Sequence, residues 1–173
     1  MATIRGGDKL QSALARLTIN IKRPGTVQIG FLEGAIYPAG SRASLRARYK
    51  KKRSTGALKG SKGGLSVAMI AAIQEFGAPR AGIPPRPFMR NMVAAKQGEW
   101  PKAIAGLLKQ TNYDGRKTLQ LIGEAIAGQL RQSIKDTNAP PLKPATIKAK
   151  GSSKPLVDSG HLLASVSYQV IGS

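Results

Sequence analysis

Residues 114–136 have the sequence DGRKTLQLIGEAIAGQLRQSIKD, which carries the clearest helical pattern in the chain. Apolar side chains recur there at spacings of three and four residues: Leu119, Ile122, Ile126, Leu130 and Ile134. This spacing places them on one face of an α-helix. Asp114 stands where an N-cap residue is expected. The stretch therefore predicts a long amphipathic helix with one face to bury.

Shorter helices are predicted on both sides of this stretch. A helix over 65–76 ends at Gly77 and has one apolar face, formed by Met69, Ala72, Ile73 and Phe76. Further helical patterns begin at Asp8, Phe88, Trp100 and Ala145.

Three stretches alternate between apolar and polar residues as strands do: 18–21, 26–31 and 165–170. The turn sequence at 23–25, Arg-Pro-Gly, separates the first two, so a β-hairpin is predicted there. A chain of 173 residues is most simply one domain, spanning 1–173.

A proline-rich segment over 78–87 lies between two of the predicted helices. Proline fixes φ, removes a backbone donor and pushes the preceding residue toward extended conformations. We therefore expect a stiff extended arm here.

Positive charge dominates the composition, with 28 Lys and Arg against 8 Asp and Glu and a net charge of +20. Much of it lies in a predicted loop insertion at about 34–64. The cations there, with no acidic residue among them, are Arg42, Arg46, Arg48, Lys50, Lys51, Lys52, Arg53, Lys59 and Lys62. Two interpretations stay open: a solvated loop, or a loop that contacts DNA or an acidic neighbouring subunit.

The residue types that catalysis needs are scarce. The chain has no cysteine and one histidine, His161, and no two carboxylates have the spacing that joins them on one helix face. Gly60-Ser61-Lys62 is only a fragment of a phosphate-binding loop. We therefore expect no enzymatic activity, no metal and no cofactor.

No apolar run reaches the roughly 20 residues of a membrane span, and no signal peptide is apparent, so the product is expected to stay inside the producing cell.

Two ordered pairs of motifs resemble a known family. The first pair is AAIQEFG at 71–77 followed by IPPRPFMR at 83–90; the second is PLKPATIK at 141–148 followed by KPLVDSGHLLASV at 154–166. Together they are similar to the tail-completion, or neck, proteins of tailed phages, a group that includes the virion-morphogenesis proteins called minor tail protein Z. Ser159 and Val166 depart from the usual threonine and isoleucine, and the basic insertion is not required by the family pattern.

The resemblance implies a compact α+β subunit in which a small, mostly antiparallel sheet is packed by two to four helices. Such subunits form a ring, usually sixfold, that completes the tail and joins it to the head connector. The implied partners are further copies of the chain, a tail terminator or tail-tube protein, a head-completion or connector protein, and the genomic DNA in the lumen. The implied locations are the virion and, during assembly, the host cytoplasm. Two alternatives stay open: a basic nucleic-acid-binding protein without sequence specificity, and a tail terminator or head-completion protein of the same neck.

The first motif pair also supplies a predicted subunit interface: Glu75, Phe76, Arg86, Pro87, Phe88 and Arg90. Glu75 and Arg86 are expected to pair within or between subunits. Phe76 and Phe88 bracket the proline segment, and two roles stay open for them: anchoring that segment in a pocket, or filling the core of their own subunit.

Overall fold

The computed structural model describes residues 25–31, 66–150, 153–157 and 160–172, together with residues 8, 9, 11, 12, 14, 15 and 18. The two strands are β1 (Thr26–Phe31) and β2 (Val166–Ile171). The helices are α1 (Val67–Phe76), α2 (Phe88–Lys96), α3 (Trp100–Gln110), α4 (Gly115–Asp136), α5 (Pro144–Lys150) and α6 (His161–Ala164), and a 3-10 helix spans Pro79–Ala81. The architecture is a small α+β fold, as expected.

The long helix α4 organises the core as its periodicity predicts. Ile122, Ile126, Leu130 and Ile134 are buried along it. The predicted cap is confirmed, since the Asp114 side chain accepts a hydrogen bond from the Lys117 backbone N–H at 3.0 Å. Residues from α1, α2, α6 and β2 complete the buried cluster around this face.

The sheet consists, in the described residues, of β1 and β2 paired antiparallel with Thr26 opposite Ile171 and Phe31 opposite Val166. Both strands were predicted, but the β-hairpin was not the correct pairing for β1. Thr18 is helical, and its hydroxyl donates to the Leu14 carbonyl oxygen one turn earlier at 2.8 Å. The other residues of the predicted first strand, 19–21, lie outside the described residues.

The sheet lies close to α4 at Gly123, which is buried. A Cβ atom added there would lie 2.6 Å from a ring carbon of Tyr168 and 2.9 Å from a methyl carbon of Val27. Gly128, five residues later on the same helix, has nothing within 4 Å of its Cβ position.

These two glycines give a matched stability prediction. Gly123→Val should lower the free energy of unfolding by about 1–3 kcal/mol, because both strands have to move away from α4. Gly128→Ala should instead raise it by about 0.5–1 kcal/mol, because alanine loses less backbone freedom in a helix. Urea denaturation measures both, and equal effects of the two substitutions would contradict the packing of the sheet on α4.

No helix in the described part of the chain is long and apolar enough to cross a bilayer.

Candidate functional site

The six predicted interface residues lie together where the end of α1, the proline segment and the start of α2 meet. Glu75 is the residue around which they are arranged. Its side chain is only 5% exposed. Its carboxylate accepts from the backbone N–H groups of Met89 at 2.9 Å and Arg90 at 3.1 Å, and from the Arg90 Nε at 3.0 Å. Glu75 therefore caps the N-terminus of a helix that begins 13 residues later.

The sequence around α2 explains why a distant residue caps it. The N-cap position is held by Pro87, which has no side-chain acceptor, and the first turn of α2 contains no acidic residue. The first N–H groups of a helix need acceptors, and a negative charge there is favoured by the helix dipole. Glu75 supplies both, although it lies 12 positions before the N-cap residue in the sequence.

The predicted pairing of Glu75 with Arg86 is wrong within the chain, because the Glu75 carboxylate is bound by α2. Arg86 is 4% exposed and instead donates from Nη1 to the Gln74 side-chain oxygen at 3.2 Å and from Nε to the Pro140 carbonyl oxygen at 3.1 Å. Its backbone N–H donates to the Gln74 carbonyl oxygen at 2.7 Å. Burial lowers the pKa of the Arg86 guanidinium from its usual value. Arg86 thus connects α1, the proline segment and the chain that follows α4.

Arg90 is the partner of Glu75, and it also fixes the position of Phe76. Its Nη2 donates to the Glu75 carbonyl oxygen at 3.0 Å, which satisfies an acceptor in the last turn of α1. The guanidinium carbon lies 5.0 Å from the centre of the Phe76 ring. That distance is within the range of a cation–π interaction. The Arg90 side chain is therefore held over a phenylalanine that points away from the core.

The two phenylalanines have different roles. Phe88 is 1% exposed and packs edge-on against Phe31, with ring centres 6.1 Å apart. It fills the core of its own subunit. Phe76, in contrast, is 65% exposed. Of the predicted interface residues, Phe76 and Arg90 present accessible side chains, whereas Glu75, Arg86 and Phe88 are buried within the chain and Pro87 is half-buried.

An apolar surface on α1 surrounds Phe76. The face predicted from sequence is confirmed as one face, and we name it the α1 outer face: Met69, Ala72, Ile73 and Phe76. Met69, Ala72 and Phe76 are exposed, Met69 to 45%, and Ile73 is half-buried. Val67, Ala71 and Glu75, on the opposite side of α1, are buried. A helix that is apolar on both sides normally has both sides covered.

The proline segment is only partly the extended arm that was expected. Pro79–Ala81 form a single turn of 3-10 helix, and Ala78 pairs with Ile83 in an isolated antiparallel bridge. Proline is tolerated in the first turn of a helix, and Gly82 closes the turn with a left-handed backbone at φ 68°. Residues 84–87 carry neither helix nor strand.

Gly77 connects α1 to this segment and gives a second matched prediction. Its φ is 77°, and an added Cβ would lie 2.9 Å from the Ile83 carbonyl oxygen and 2.8 Å from the Pro85 nitrogen. We expect Gly77→Ala to lower the melting temperature by several degrees, because both of these atoms belong to the backbone and the turn must open. Gly82→Ala has the same kind of φ but nothing within 4 Å, so it should show a smaller loss. Differential scanning calorimetry compares the two, and a smaller loss for Gly77→Ala would contradict the observed turn.

The basic-loop residues, from Arg42 to Lys62, lie outside the described residues, so their predicted contacts with DNA or a neighbouring ring stay predictions. His161 is the first residue of α6. Within the described part of the chain, no group of three or more histidine, aspartate or glutamate residues could hold a metal ion.

The roles of Glu75 and Arg90 were not foreseen from the sequence. The available signal was that Glu75 is the only acidic residue between 66 and 98, while α2 starts at a proline without an acid of its own.

Comparison of the chain with models of known protein families gave no match, and comparisons with curated proteins and with solved structures gave none either.

Proposed function

We propose that this chain is a non-catalytic structural subunit of a tailed-phage neck. In this proposal its copies form a ring, sixfold to match the tail, that completes the tail and joins it to the head connector. The ring contacts a tail terminator or tail-tube protein on one side and a head-completion protein on the other, with the genome passing through its lumen. The subunit would be made in the host cytoplasm and retained in the virion.

One structural observation carries the assembly part of this proposal: the α1 outer face is apolar, and its residues Met69, Ala72 and Phe76 are exposed. A helix of this kind on a folded domain is typical of a surface that another protein covers. Phenylalanine, methionine and arginine are enriched in such contacts. The motifs that resemble phage tail-completion proteins include both Phe76 and Arg90, so the resemblance and the exposed surface coincide on the same residues.

The geometry also favours binding without a large ordering cost. Arg90 is held by the buried Glu75 carboxylate, and Phe76 lies beneath the Arg90 guanidinium. Side chains fixed before association lose less conformational entropy when they are covered. The buried contacts of Glu75 and Arg86 thus hold Phe76 and Arg90 in place before a protein partner binds.

A complementation experiment tests this function. The gene for the chain is inactivated in the phage or prophage that encodes it, and variants are supplied in trans. We expect wild-type protein to restore joined heads and tails, and Phe76→Glu to fail at least about tenfold in infectious particles, because a charge in the centre of a covered apolar contact is left without a partner.

Leu121→Glu is the matched control, since Leu121 is an exposed apolar residue on α4. It should restore particles as wild type does. Thermal unfolding of both variants must first show that they are folded. Full activity of Phe76→Glu, or joined particles without the chain, would contradict the proposal.

A basic nucleic-acid-binding protein is the second candidate, favoured by the net charge of +20. It predicts that the chain binds DNA tightly as a monomer, with a steep dependence on salt. Joined heads and tails that form without the chain would favour this candidate.

A further inference from the structure

The turn between α3 and α4 forms the tip of an antiparallel helical hairpin. Trp100, at the start of α3, donates from its indole nitrogen to the Gln129 side chain at 3.0 Å, late in α4. At the other end, the hydroxyls of Thr111 and Thr118 lie 2.8 Å apart. Four residues, 111–114, connect the helices. The last turn of α3 and the first turn of α4 therefore lie side by side at one end of the hairpin.

Three exposed cations occupy this tip: Lys109, Arg116 and Lys117. None of them forms an ion pair with a described residue; the ion pairs that join two described residues involve Arg90, Lys96 and Arg131. The carboxylate adjacent to them in the described chain is Asp114, which accepts the Lys117 backbone N–H as the N-cap of α4. Asp114 keeps its negative charge, so the tip carries three positive charges against one negative charge among the described residues.

Two features of the tip depart from what helix stability alone would favour. Arg116 and Lys117 lie in the first turn of α4, where the helix dipole disfavours cations and acidic residues are preferred. The connecting residues Asn112 and Tyr113 both have a left-handed backbone, with φ 52° and 61°. A left-handed conformation is uncommon for a residue as bulky as tyrosine. Such departures concentrate where a surface serves a ligand.

We propose that Lys109, Arg116 and Lys117 form a binding site for the phosphate backbone of duplex DNA. Packed helices lie about 8–10 Å apart, so the three side chains reach phosphates over a similar distance. A duplex carries one negative charge for about every 1.7 Å of its axis, so that distance includes several phosphates. Contacts of this kind position a duplex without reading its sequence.

This site is separate from the basic loop at 42–62 and gives the genome a contact on the folded domain itself. The proposal rests on the proposed function for the choice of duplex DNA over other polyanions. The rival ligand is an acidic protein surface, which the same cations would attract.

Fluorescence anisotropy with a labelled duplex of about 30 base pairs tests the site on the full chain. The variant is Lys109→Gln/Arg116→Gln/Lys117→Gln. The matched control is Lys135→Gln/Lys143→Gln/Lys148→Gln, which removes three exposed cations elsewhere and so lowers the net charge equally. We expect the tip variant to bind about 10–100-fold more weakly at about 0.1 M salt, with a slope of log K against log salt that is smaller by about 2–3. The control should change binding less than about threefold.

Equal losses in the two triple variants would overturn the proposal, because only net charge would then matter. Failure of the wild type to bind the duplex would also overturn it. A tip variant that loses binding to polyglutamate but keeps binding to the duplex would assign the tip to an acidic protein instead. These outcomes are distinct from failure of the neck assignment, which depends on whether the chain is present in particles and not on its affinity for DNA.

Discussion

Glu75→Ala is expected to lower the free energy of unfolding by about 2–4 kcal/mol. The substitution removes the acceptor for two backbone N–H groups at the start of α2, and each buried donor left without a partner costs about 1–3 kcal/mol. It also removes the negative charge that favours the N-terminus of that helix. Glu75→Gln keeps one acceptor oxygen and should lose less, about 1–2 kcal/mol.

Glu99→Ala is the control for this prediction. Glu99 pairs with Lys96 three residues away, and both side chains are exposed. Surface pairs of this kind contribute about 0–1 kcal/mol. Chemical denaturation of the three variants measures the differences. If Glu75→Ala were no more destabilising than Glu99→Ala, the carboxylate would not be the cap of α2.

Phe88→Ala should mainly lower the stability of the fold, whereas Phe76→Ala should mainly reduce assembly. Phe88 is buried against Phe31, so its truncation should cost about 3–5 kcal/mol. Phe76 is largely exposed and stacks with Arg90, so Phe76→Ala should cost no more than about 1 kcal/mol.

The effect of Phe76→Ala on assembly is measured by counting joined heads and tails in particle preparations. Phe76→Ala should remain folded but give fewer joined heads and tails than wild type. A large loss of stability from Phe76→Ala, or none from Phe88→Ala, would reverse the roles that the structure gives these two residues.

The parts of the fold that the sequence predicts are those set by local pattern. The apolar period of α4 extends over about four turns, and a capping aspartate precedes the helix, so its location and buried face followed directly. The strand at 26–31 was also found, but its partner β2 begins 135 residues further along the chain. Strand pairing over such a distance depends on tertiary packing, whereas the predicted hairpin was the nearest local alternative.

The orientation of α1 could not be predicted for a different reason. Met69, Ala72, Ile73 and Phe76 do form one face, but Val67 and Ala71 on the other side are apolar as well. Periodicity identifies a face and does not say which of two apolar faces is buried. The exposed face is the one that the proposed assembly needs.

The sequence motif indicated which residues form the candidate site, but it did not predict the hydrogen-bond partners within the site. Opposite charges at Glu75 and Arg86 suggested a pair. Pro87 has no side-chain acceptor to cap α2, however, and the Glu75 carboxylate takes that role. Arg86 then binds carbonyl and amide oxygens of Gln74 and Pro140. Burial of Glu75 and Arg86 fixes the end of α1 and leaves Phe76 and Arg90 at the surface.

The proposed function is tested most directly by cryo-electron microscopy of phage particles produced in cells that carry the gene for this chain, with focused reconstruction of the neck. The proposed neck function predicts a closed ring of this subunit between tail and head connector, with the α1 outer face covered by a neighbouring protein. Particles whose neck contains no copy of the chain, or a ring in which Phe76 remains exposed to solvent, would contradict it.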